Sequence, residues 1–126
     1  MGGNNSYTIT VEVQDDSGDY DVTLSPNQLE VDQDGTATIT WQASTSGLPF
    51  TFDATNPITF SGSHTPLTTP TYNAGNNTVT CTDTVSADGI FPYSVTLHVS
   101  GDPDPITYPD TFHVGNGDPE IHNKPD

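Results

Sequence analysis

The chain is 126 residues long, with 17 acidic side chains against a single lysine and a formal net charge of −16. The length suits one domain with one modest core, and no apolar run approaches the length of a transmembrane helix. With Lys124 as its only basic side chain besides histidine, the chain has nothing to neutralise phosphates, which excludes nucleic acid and anionic membrane as direct partners.

The opening MGGNNSYTIT has neither a basic nor an apolar stretch, so no signal peptide is expected within it, and residues 1–5 read as a flexible or docked leader. The main domain is expected over residues 6–101. Its first element is Tyr7–Val13, where Tyr7, Ile9, Val11 and Val13 alternate with Thr8, Thr10 and Glu12. That is the period of a half-buried strand. A DDSGD turn leads to Val22–Leu24, and Ser25–Pro26–Asn27 turns the chain into Leu29–Val31. Thr36–Ala43 follows, with Ala37, Ile39 and Trp41 pointing inward between threonines. Phe50–Asp53 and Ile58–Phe60 read as short strands on either side of Asn56–Pro57. The polar stretch Ser61–Asn76 is long enough to cross from one sheet to another. Asn77–Val85 and Phe91–Ser100 are the last strong strands, expected to pair with each other across Ser86–Gly89.

No window carries the three-and-four spacing of a helix, and threonine, favoured in strands, is abundant. The pattern predicts an all-β fold, a sandwich or Greek-key barrel. Residues 102–126 differ in character. Pro103, Pro105, Pro109, Pro119 and Pro125 stand among acids, with one apolar island at Thr111–Val114. This composition predicts an extended arm, free or laid along the domain, and not a second fold.

Two stretches carry a likeness to a known family. Leu24–Asp53, LSPNQLEVDQDGTATITWQASTSGLPFTFD, has a proline turn, an apolar strand, a glycine turn and a strand ending in Trp41. Asp88–Gly101, DGIFPYSVTLHVSG, is the second, and the closing DPEIHN (Asp118–Asn123) adds to it. In this pattern the chain resembles the small cupredoxins, the blue-copper fold. The resemblance implies an all-β Greek-key β-sandwich, cupredoxin-like or immunoglobulin-like, but not the metal. Carried over residue by residue, the family's first histidine slot falls on Phe50, its cysteine slot on Val95 and its methionine slot near Pro103; only His98 matches. A trigonal copper site needs three strong donors converging on one ion, and one imidazole does not supply them. The likeness therefore speaks for a fold and not for a function.

The residues themselves offer a short set of chemical candidates. Cys81, the only cysteine, shares a strand face with Val79 and Val85, which reads as a buried, inert thiol. Asp15, Ser17, Asp19 and Asp21 recur at every second position around a glycine turn, a supply of oxygens of the kind calcium takes. Aspartate also favours turns for its own sake. Asp32, Asp34, Asp102, Asp104 and Asp110 are further oxygen donors. The four histidines, His64, His98, His113 and His122, are dispersed. His98 and His113 would form a transition-metal pair only if their strands are neighbours. Asn4 and Asn76 fit the N-glycosylation triplet with Ser6 and Thr78. No nucleophile elbow, phosphate-binding loop or Cys–His pairing is present, so no enzyme is expected.

The function expected from these residues is that of a non-enzymatic structural or interaction module, a self-associating extracellular subunit of a filament or surface layer. Tyr7, Ile9 and Val11 in the first strand, with Phe112 and Val114 in the arm, are the residues expected to carry self-association by strand addition. The alternative is a metal-binding module, through calcium at Asp15, Ser17, Asp19 and Asp21 or a transition metal at His98 and His113. No cofactor is expected beyond that calcium. The partners are further copies of the chain and cations.

Overall fold

The alternating segments are strands, and their apolar sides face one another across a single interior. The computed structural model describes residues 5–109 and 118–125. In chain order the strands are β1 (Asn5–Asp16), β2 (Asp19–Ser25), β3 (Gln28–Val31), β4 (Gly35–Ala43), β5 (Phe50–Phe52) and β6 (Ile58–Phe60), then β7 (Thr71–Asn73), β8 (Thr78–Val85), β9 (Gly89–Val99), β10 (Ile106–Tyr108) and β11 (Glu120–Asn123). The described residues contain no helix, and hence none long and apolar enough to cross a membrane. The fold is an all-β sandwich, as the period-two pattern predicts.

One sheet is five-stranded, in the order β2-β1-β4-β8-β7. Within it β1 runs antiparallel to β2 and parallel to β4. The other sheet is six-stranded and built around β9. Val95 pairs with Ile58 of β6 on one side and with Tyr108 of β10 on the other. β11 lies antiparallel to β9 and parallel to β3, closing the sheet on the side of β10. The interior is filled from both sheets. Ile9, Val11, Ile39, Trp41 and Val79 come from one, Phe52, Tyr93, Leu97 and Ile121 from the other, all at most 2% exposed. Trp41 of β4 meets Tyr93 of β9 edge-on, with ring centroids 5.4 Å apart and planes at 79°. That is a favourable arrangement for two aromatic quadrupoles.

One expected pairing is absent. β8 and β9 are consecutive and both strongly alternating, yet they lie in different sheets. β8 pairs with β4 and β7, while the stretch Leu67–Thr68 adds to its far side through the Leu67–Asp83 bridge. The physical reason is that both strands carry a full apolar face. Two such faces are satisfied by packing against each other across the interior, with Ser86–Asp88 carrying the chain from sheet to sheet. The expected crossover in Ser61–Asn76 is present: it starts from β6 in one sheet and delivers β7 to the other.

Within the 102–126 arm, Ile106–Tyr108 and Glu120–Asn123 are strands of the second sheet, and Ile121 is fully buried. Of the leader, Asn5 opens β1, and residues 1–4 lie outside the described residues.

A single side chain ties the start of β8 to β5 in the opposite sheet. Asn77 takes a left-handed backbone (φ 52°), a conformation asparagine tolerates better than most residues. Its Nδ2 donates to the Phe50 carbonyl at 2.9 Å, and its Oδ1 accepts from the Phe52 amide at 3.1 Å and the Tyr72 hydroxyl at 3.2 Å. Asn77→Ala removes all three bonds and adds backbone strain. A loss of about 2–3 kcal/mol is expected in urea denaturation, and Asn77→Gly recovers only the backbone part. Equal stability of the alanine variant and the parent would show that these bonds do not hold the sheets together.

Candidate functional site

The sequence candidates divide according to the faces on which the strands place them. β1 and β2 form a hairpin closed by Ser17 and Gly18, both at positive φ (53° and 94°). Two positive values in a two-residue loop are what a tight hairpin between twisted strands requires. Asp15 pairs with Tyr20, and Asp21 with Gln14. Cross-strand partners share a face, so Asp15 lies with Tyr20 on the side of Val13 and Val22, while Asp19 and Asp21 lie on the opposite side. The hairpin thus separates the acids that sequence spacing suggested as one oxygen cluster. Asp15, Ser17, Asp19 and Asp21 are all exposed, and no group of three or more His, Cys, Asp or Glu with metal-binding geometry occurs among the described residues. Tyr20 instead donates its hydroxyl to Asp102 Oδ2 at 2.8 Å. This bond raises the tyrosine pKa. The Asp102 carboxyl is held below its ordinary range, first by the Asp104 amide and then by Tyr20.

His98 has a carboxylate neighbour. Its Nε2 lies 2.8 Å from Asp53 Oδ1, while Asp53 Oδ2 accepts the Asn56 and Thr55 amides at 2.7 and 3.1 Å. The Asn56 amide, with His98 second, lowers the Asp53 pKa. His113, its expected metal partner, lies outside the described residues, as do Phe112 and Val114. His64 stacks on Phe60 with centroids 4.7 Å apart. Asn76 of the glycosylation triplet is exposed beside β8 and accepts the Thr78 hydroxyl at 2.7 Å. Cys81 is buried, and desolvation pushes its thiol up to about 12, so it is protonated and unreactive at neutral pH.

The expected self-association residues of β1 serve their own domain first. Ile9 and Val11 are fully buried, and Tyr7 is half-buried with its hydroxyl donating to Gln33 Oε1 at 3.2 Å. What β1 offers outward is backbone. β4 accompanies it from Asn5 to Val11, but β2 joins only at Thr10, opposite Ser25. Among the described residues, Asn5–Ile9 therefore has a neighbour on one side only. The carbonyls of Val11 and Val13 accept the Ser44 and Leu48 amides on the β4 side, at 2.8 and 2.7 Å. By alternation the N–H and C=O groups of Ser6 and Thr8 face the open side. This edge, NSYTI, carries no charge, whereas the outer edge of β2 carries Asp19 and Asp21. Charges on an edge discourage pairing; an uncharged free edge is a template for another strand.

The pattern of apolar residues concealed a polar contact inside the sandwich. Asp83 of β8 and Asn123 of β11 are at most 1% exposed, and Asn123 Nδ2 donates to Asp83 Oδ1 at 2.8 Å across the two sheets. Asp83 Oδ2 and Asn123 Oδ1 have no hydrogen-bond partner. Burial pushes the Asp83 pKa above the ordinary carboxylate value, and the Asn123 bond partly opposes the shift. A signal for Asp83 exists in the sequence. It stands in phase with Val79, Cys81 and Val85, an acid on an apolar face. For Asn123 no such signal exists, because its burial depends on where β11 docks. The chain matches no protein-family model, and a search of curated proteins returns no match.

Proposed function

We propose that this chain is a non-enzymatic structural β-sandwich that self-associates by strand addition at the open β1 edge, as a subunit of a filament or layer outside the cell. The observation that supports it is the uncharged edge Asn5–Ile9, paired on one side only among the described residues. A second copy supplies the added strand. Its backbone takes up the amides and carbonyls of Ser6 and Thr8, and the side chains of Ile9 and Val11 stay in their own core. A net charge of −16 opposes the approach of two copies. Screening length falls to about 8 Å at physiological ionic strength and further in stronger salt, so association grows with salt.

The test is Thr8→Pro. Proline at this position removes an N–H that faces the open side and none that bonds to β4, the one placement an edge strand tolerates. Light scattering in rising salt is expected to show the parent growing in mass while Thr8→Pro stays monomeric with an unchanged melting curve. A parent that stays monomeric at high concentration and high salt overturns the reading, as does a folded proline variant that associates as well as the parent.

A further inference from the structure

A groove of about 500 Å³ opens at one end of the sandwich, between the loop after β6 and the β8–β9 connection. Pro66, Ala87 and Phe91 form apolar walls, the exposed Asp88 stands at its rim, and the buried Asn123 lines its inner side. Behind Asn123 lies Asp83, bonded to it at 2.8 Å. The contact leaves two oxygens without a partner, Asn123 Oδ1 and Asp83 Oδ2, on side chains 99% and 100% removed from solvent. A buried polar atom left unpaired costs about 1–3 kcal/mol, so each of these oxygens favours a ligand that brings a donor.

We infer that this groove binds a primary alkylammonium group, its carbon stem on Pro66, Ala87 and Phe91 and its nitrogen directed to Asn123 Oδ1, with the Asp83 carboxyl one hydrogen bond further in. Three features select this chemistry. An ammonium carries three donors and no acceptor, which suits a site whose free atoms are oxygens. The walls match a short hydrocarbon stem, and an aromatic ring beside a cation adds electrostatic attraction. Asp88 at the rim and the net charge of −16 draw cations toward the groove. Among the described residues no group supplies the cation. The single lysine, Lys124, is exposed and turned to Glu30, with Nζ 3.7 Å from Oε1. The inference is independent of strand addition at β1, which lies on the other side of β4 from β8.

The test is an NMR titration of the full chain with n-butylammonium chloride and, as control, n-butanol, which has the same stem without the charge. Saturable shifts confined to Ser86–Phe91 and Asn123 are expected, with butanol weaker by about tenfold. Asp83→Asn, which keeps the shape and the Asn123 bond, is expected to lose about tenfold in amine affinity and none of its melting temperature. Ala87→Trp fills the groove from an exposed position and is expected to abolish binding. A parallel titration with Nα-acetyl-lysine methylamide identifies the source: tighter binding than butylammonium assigns a lysine of a partner protein, equal binding a free amine. Butanol binding as tightly as the amine, an unaltered Ala87→Trp variant, or no saturable shift overturns the inference.

Discussion

Trp41→Ala is expected to cost about 3–5 kcal/mol, the range for removing a fully buried large aromatic side chain. Trp41 sits on β4, flanked by β1 and β8, and its register partners Ile9 and Val79 are themselves fully buried. Above it stands Tyr93, on the strand around which the opposite sheet is built. The space left by the indole is therefore bounded by central strands of both sheets, which relax little, and the loss belongs at the upper end of the range. A domain of ordinary stability holds about 5–15 kcal/mol, so such a loss removes much or all of it. Gln42→Ala, one residue along on the exposed face, is expected to stay within about 0.5 kcal/mol of the parent. Urea denaturation of the two variants reads both numbers. A Trp41→Ala variant within about 1 kcal/mol of the parent would mean that the sheets do not pack through this contact.

The second large effect lies at the other end of the interior. Asn123→Ala leaves Asp83 with no donor at all, and a loss of about 2–3 kcal/mol is expected, the value of a hydrogen bond to a group that carries charge. The loss depends on pH in a definite direction. Burial raises the Asp83 pKa in the folded chain above its unfolded value. The contribution of this group is therefore fully present below the unfolded value and is lost as pH rises through the folded one. Asn123→Ala is accordingly more damaging at about pH 8 than at about pH 4, because the bond it removes supports the ionised carboxylate. Asp83→Asn removes the titration itself and is expected to exceed the parent in stability at about pH 8 but not at about pH 4. Asp53 and Asp102 act in the opposite sense. Their folded values are lowered, so their contributions are lost as pH falls. Comparing each variant with the parent at one pH cancels those terms. Parallel urea midpoints for Asp83→Asn and the parent across that range would rule out a buried, titrating Asp83.

The stabilisation expected of Asp83→Asn at about pH 8 and its expected loss of amine binding point the same way. A chain selected only for stability has no use for a buried carboxyl with an unpartnered oxygen, whereas a site for a cation does. At β1 the same logic applies to the backbone: an uncharged edge that pairs on one side only among the described residues is a hazard in a monomer, and the proposed strand addition would cover it.

Eight of the eleven strands were legible; β7, in the stretch Ser61–Asn76 read as a loop, and β10 and β11, in the arm read as extended, were not. Tyr7–Val13, Thr36–Ala43 and Phe91–Ser100 alternate apolar and polar side chains, and this period survives any tertiary arrangement because it is a property of the extended backbone. Burial of Ile9, Val11, Ile39, Trp41 and Val79 follows from the same alternation. So does the inertness of Cys81, an apolar position on a buried face. Strand partnership was not legible. Two strands with one apolar face each are equally well served by lying side by side or by facing each other, and β8 and β9 face each other. The acidic hairpin failed for a related reason. A spacing of two placed Asp15 with Asp19 and Asp21 on paper, but the turn at Ser17–Gly18 reverses the chain and puts Asp15 on the opposite face.

By itself, then, the order of residues determined that this chain is all-β, where most of its strands lie, which faces they bury, and that it carries a large negative charge. Those properties are local: they depend on backbone period, turn chemistry and side-chain type. The tertiary structure alone decided which strands are neighbours, that Asn5–Ile9 pairs on one side only among the described residues, and that Asn123 reaches Asp83 across the interior. The pairing of β1 with β4 joins residues 32 positions apart and the Asn123–Asp83 bond joins residues 40 apart, where the chain between them sets no distance and packing decides.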